Sequence, residues 1–82
     1  VSETEQARAR YDDAENVERA YAVQVARARQ AWRSAPTPEI AARQKRRLTA
    51  ATIQHTEALQ QRQDAFSTWH ALHTAGGRRA RG

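Results

Sequence analysis

The sequence predicts an all-α fold: two long helices in an antiparallel helical hairpin of coiled-coil type, with dimerisation into a four-helix bundle as its natural extension. Three observations carry this. Apolar and small residues recur at steps of three and four along two long stretches, which is the helical period. A single proline-containing break separates the stretches. No segment alternates as a half-buried strand does.

The first helix opens at "SETE", a capping box in which Ser2 accepts from the N–H of Glu5 and the Glu5 side chain reaches back to Ser2. Its stripe runs Ala7, Tyr11, Ala14, Val17, Tyr21, Val25, Ala28 and Trp32. No glycine or proline interrupts residues 3–33, so one helix of about 45 Å is expected at about 1.5 Å per residue. "SAPTPE" ends it. Pro36 disfavours helical geometry at Ala35. Thr37 suits an N-cap, Pro38 the first helical position and Glu39 the positive helix end. A second stripe follows: Ile40, Gln44, Leu48, Ala51, His55, Leu59, Arg62, Phe66, Trp69 and Leu72. Gly76 and Gly77 are the expected stop, which gives a helix of about 55 Å. The predicted organisation is a hairpin over residues 1–75 (helix 3–34, turn 34–37, helix 38–75), then a flexible basic tail over 76–82.

A short link between two long helices makes them antiparallel neighbours. Folding at the turn predicts paired residue numbers that sum to about 73. Trp32 then meets Ile40, Val25 meets Leu48, Tyr21 meets Ala51, Ala14 meets Leu59 and Ala7 meets Phe66. Tyr11 meets Arg62 in a cation–π contact. His55 falls opposite Val17 and Glu18, and a stripe histidine needs a polar partner, so a Glu18–His55 pair is predicted. Two helices touching along a stripe that is largely alanine make a thin core. Val23 and Ile53 lie off the stripe and are the candidate partner-binding residues of a second contact face, for another copy or for the rest of a longer protein.

Charge is segregated along the 82 residues, whose net charge is +5. Residues 1–18 hold six acids against Arg8 and Arg10, a net −4, while residues 19–47 hold eight bases against Glu39, a net +7. Folded as a hairpin, this makes a rod with an acidic open end and a basic tip. Arg27, Arg29 and Arg33 suit the negative end of the first helix. "RQKRR", residues 43–47, lies near the positive end of the second, where local helix stability does not call for it. Arg29, Arg33, Arg43, Lys45, Arg46 and Arg47 are therefore the candidate nucleic-acid-binding residues, reading phosphates without sequence specificity. Trp32 either stacks on a base there or staples the turn against Ile40.

Residue chemistry points away from catalysis. Ser2, Ser34 and Ser67 sit in no nucleophile motif. His70 and His73 share a helix face without a third ligand nearby, so no metal is expected. Asp12, Asp13, Glu15 and Glu18 read as a solvated acidic face. No phosphate loop or glycine fingerprint occurs, so no cofactor or small-molecule ligand is expected. There is no cysteine, hence no disulfide framework or thiolate site. No apolar run reaches membrane-spanning length, so no membrane partner is expected. The chain begins at Val1 and ends in "GGRRARG", which reads as a module of a longer, cytoplasmic protein.

"RARQAW" and "DAFSTWHALHTA" place Ala and Arg at helical spacing before Trp and small residues. In this the second half of the chain resembles the Ala/Arg-rich helical regions of large conjugative relaxase–helicases of high-GC bacteria. Their nucleophilic tyrosines and metal-binding histidine triad are not recognisable here. The resemblance implies an accessory module in plasmid DNA transfer, a spacer or docking arm, and not a nicking domain. The expected shape is also similar to the helical arm of seryl-tRNA synthetase, an analogy of form alone. The expected function is a non-enzymatic interaction module with a protein partner or a second copy; the alternative is a basic-tipped arm that contacts DNA or RNA.

Overall fold

A computed structural model describes residues 2–81, with side chains described through Ala75. Helix α1, Glu3–Arg33, and helix α2, Pro38–Arg81, fold back on each other. They form a rod of 66 × 16 × 14 Å. No strand occurs among the described residues. Among the described residues no helix is long and apolar enough to cross a membrane.

The ends follow from local chemistry. Ser2 Oγ accepts the N–H of Glu5 at 3.1 Å; the reciprocal bond of a capping box is not among the side-chain bonds of the described residues. At the other end of α1, the Ser34 N–H and hydroxyl both donate to the Gln30 carbonyl, at 3.1 and 2.8 Å. Thr37 Oγ1 accepts the N–H of Ile40 at 3.2 Å, and Pro38 is the first residue of α2. The expected stop at Gly76 and Gly77 is not made, because α2 continues to Arg81. Two glycines cost about 1 kcal/mol each relative to alanine, and no proline follows to forbid propagation. The side chains of residues 76–82, on which the expected basic tail rests, lie outside the described residues.

The inward residues follow a strict seven-residue repeat. In α1 they are Ala7, Tyr11, Ala14, Glu18, Tyr21, Val25 and Ala28; in α2 they are Leu48, Ala51, His55, Ala58, Arg62, Ala65, Trp69 and Leu72. From Ala7 to Ala28 and from Leu48 to Leu72 threes and fours alternate, the seam of a coiled coil; nearer the turn Ala31, Ile40 and Gln44 depart from it. This differs from the sequence-derived stripes at four places. Val17 is exposed and Glu18 points inward; Trp32 is exposed and Ala31 lies nearer the seam; Phe66 is exposed and Ala65 is the inner residue; Ala58, off the expected stripe, is the most buried at 3% exposure. One physical cause covers them. Alanines stand at corresponding heptad positions in both helices (Ala7, Ala14, Ala28; Ala51, Ala58, Ala65), so the backbones close on small side chains. The larger neighbours are left to the flanks.

The register is displaced on one side of the seam. Cross-helix contacts join Tyr11 to Phe66, Arg8 to Trp69, Glu15 to Arg62 and Trp32 to Lys45, each pair summing to 77, whereas the Glu18–His55 contact keeps the expected sum of 73. Helical side chains lean toward their own N-terminus. In an antiparallel pair, contacting residues therefore lie about one position further along each chain, which adds about two to the sum. The pairings expected for Trp32, Ala14 and Ala7 with Ile40, Leu59 and Phe66 shift accordingly.

Candidate interaction surfaces

The seam holds one polar cluster. Glu18 is 8% exposed and accepts from both neighbours: His55 Nε2 at 3.0 Å and Arg62 Nη1 at 2.8 Å. The predicted Glu18–His55 pair is thus formed. An ionised carboxylate only accepts, so the His55 Nε2 carries the proton in this bond. The His55 bond is the main cause holding the Glu18 pKa below its ordinary value, with the His55 and Arg62 charges adding to it and burial opposing. Arg62 is held further above its ordinary value, first by the Tyr11 hydroxyl and then by Glu15 and Glu18. No buried side-chain nitrogen or oxygen among the described residues lacks a partner. The cluster ties the two helices together at mid-seam. Arg62 meets Tyr11 as expected, but at its hydroxyl and not over its ring: Arg62 turns to the carboxylates, and Arg8 lies over the Tyr11 ring at 5.4 Å.

Two flanks border the seam. One is aromatic. Near the open end Tyr11, Phe66 and Trp69 have centroids 5.5 to 6.3 Å apart. His70 stacks on Phe66 at 5.6 Å and His73 on Trp69 at 5.3 Å. Arg8 lies 4.9 Å from the Trp69 centroid. Phe66 is 42% exposed. His70 and His73 thus take part in this stack, and no group of three metal-ligating side chains occurs among the described residues. The sequence holds the signal for this patch at 66, 69, 70 and 73, but joining it to Tyr11 and Arg8 needs the true register.

The other flank is floored by alanine. Arg27, Ala28 and Ala31 of α1 and Arg47, Ala50 and Ala51 of α2 line one groove toward the tip. Ala7, Arg10, Asp64, Ala65 and Thr68 line another toward the open end. Seven-residue spacing (Arg10, Val17, Gln24, Ala31; Arg47, Gln54, Thr68) places both on the same side of the rod.

Comparison with family models, curated proteins and solved structures gives no match. The surfaces are therefore read on their own chemistry. Val23 and Ile53 are exposed, at 49% and 55%. They do not form one face. Val23 lies midway between inward Tyr21 and Val25, and Ile53 midway between inward Ala51 and His55. At about 100° per residue each sits on the back of its own helix, so they face away from one another. The six tip cations Arg29, Arg33, Arg43, Lys45, Arg46 and Arg47 are all exposed, and the turn brings the two helices' sets to the same end. Lys45 Nζ lies 5.9 Å over the Trp32 ring. Neither these six nor Arg27 forms an ion pair among the described residues. The acidic end is different, because Arg8 pairs with Asp12 at 3.2 Å and Arg19 pairs with Glu15.

Proposed function

We propose that the hairpin is a non-enzymatic protein–protein interaction module. One observation carries this reading. The buried apolar residues are Ala7, Val25, Ala51 and Ala58, whereas Val17, Val23, Trp32, Ile53 and Phe66 are exposed. The chain exposes 6356 Å², about 1,400 Å² more than the roughly 5,000 Å² of a compact monomer of its mass. That excess is the scale of a specific protein interface, about 800 Å² from each partner. Melting followed by circular dichroism tests the reading. The isolated chain should melt broadly when dilute, because so small a core gives little cooperativity. A sharp transition with a midpoint independent of protein concentration would show that the hairpin is complete alone.

The basic tip supports a second reading, a phosphate-contacting arm on DNA or RNA, in line with the resemblance to DNA-transfer proteins. Its observation is the set of unpaired tip cations beside an exposed tryptophan. Arg46→Glu with Arg47→Glu should abolish binding to a short duplex. In the parent, affinity should fall with salt by about 0.9 log unit per log unit for each phosphate neutralised. Binding that ignores salt overturns this reading.

A further inference from the structure

Resting on the interaction reading, we infer that the alanine-floored flank binds a second copy of this chain, antiparallel, with the acidic end of each rod on the basic tip of the other. The argument is charge complementarity at fixed spacing. On this flank Asp13 and Asp64 lie toward the open end and form no ion pair among the described residues; Asp64 accepts a hydrogen bond from Gln60 at 2.9 Å. Arg27, Arg43 and Arg47 lie toward the tip, equally unpaired and exposed. Between them lie Ala20, Ala50 and exposed Val17, with one further exposed acid, Glu57, which falls opposite Ala51 in the arrangement below.

A two-fold axis crossing the rod near Ala20 and Gln54 stacks α1 on α1 and α2 on α2, each pair antiparallel. Asp13 then faces Arg27 of the second copy, and Asp64 faces the turn that carries Arg43 and Arg47. Ala20 meets Ala20, Gln54 meets Gln54, and Arg10 meets Ala31, so no like charges are opposed. Two-fold symmetry repeats each contact. The parallel alternative stacks tip on tip and α1 on α2, which sets Arg27 against Arg47. The aromatic flank in the same antiparallel arrangement sets Arg8 against Arg33, and its acids are already matched by Arg8 and Arg19. Opposed like charges suppress such pairings. The product is a four-helix bundle whose aromatic flanks stay open to a further partner.

The test is sedimentation equilibrium of the 82-residue chain and of two charge-reversed variants. The parent should form a reversible dimer with a dissociation constant on the order of 10 µM. Asp13→Arg with Asp64→Arg gives a chain basic at both ends of the flank. Arg27→Asp with Arg43→Asp and Arg47→Asp gives one acidic at both ends. Each alone should dimerise at least about tenfold more weakly. An equimolar mixture should recover the dimer, because every opposed pair is then of unlike sign. Recovery also shows that both variants fold. A parent dimer indifferent to the reversals, or a mixture that stays monomeric, overturns the inference. A parent that is monomeric at about 100 µM and melts broadly overturns the second copy but leaves the interaction reading standing. A monomer with a sharp, concentration-independent melt overturns both.

Discussion

Glu18 is the residue on which the seam's polar chemistry turns, since it joins α1 to α2 through both His55 and Arg62. Its pKa is lowered on folding from an ordinary 4.5, chiefly by the His55 hydrogen bond. The folded protein therefore binds that proton less readily than the unfolded chain. The stability Glu18 contributes is complete above pH 4.5 and is lost as pH falls through the lower folded value. Glu18→Gln should melt at a lower temperature than the parent at neutral pH. The gap between the two melting curves should close as pH falls below 4.5. A gap that stays constant into acid removes ionisation of Glu18 from the account. Ala58 makes the opposite demand, for smallness. At 3% exposure it has no room to grow, so Ala58→Leu should destabilise the hairpin by about 1–3 kcal/mol in a urea titration. Val23→Glu, on the solvent side of the same rod, should change stability by less than about 0.5 kcal/mol.

At the scale of the helices, boundaries are set by single side chains. Thr37 supplies the only side-chain acceptor seen at the α2 N-terminus among the described residues. Thr37→Ala should therefore cost about 1 kcal/mol, read by urea denaturation, with amide exchange rising first over Ile40 and Ala41. Such features are legible in sequence because they are local: both N-caps, the break at Pro36 and the extent of α1 follow from residues a few positions apart. The choice between adjacent residues for the seam is not local. A hydrophobicity ranking puts Val17 before Glu18 and Phe66 before Ala65, whereas close approach of two alanine-bearing backbones selects the reverse at both sites. The same distinction divides the surfaces. The tip cations are legible because the turn gathers neighbours in sequence. The aromatic flank depends on a register one helical turn from the sum the turn suggests, and the opposed directions of Val23 and Ile53 emerge once the inward residues are known.

The whole molecule is a rod with uneven charge, and salt should act on it in two opposite ways. Among the described residues seven cations stand without an ion pair around the tip, Arg27, Arg29, Arg33, Arg43, Lys45, Arg46 and Arg47. Folding brings α1's set against α2's, and Arg43, Arg46 and Arg47 also lie toward the positive end of α2. This repulsion acts between exposed groups, so ions screen it over a Debye length of about 10 Å at 0.1 M. The attractive pairs that salt also weakens, Arg8–Asp12 and Arg19–Glu15, lie on the surface and are worth little, roughly 0.2–1 kcal/mol each. Repulsion is the larger effect within one hairpin. Added sodium chloride should raise the melting temperature of the dilute chain by about a few degrees. Arg46→Gln with Arg47→Gln should raise it at low salt and blunt the response to salt. Between copies the sign reverses, because the opposed ends attract and screening separates them. At high protein concentration, added salt should first dissociate the dimer and lower the melting temperature toward that of the monomer. Melting curves at two protein concentrations across a salt series read both signs at once, and a dilute melting temperature that falls with salt overturns the assignment of strain to the tip.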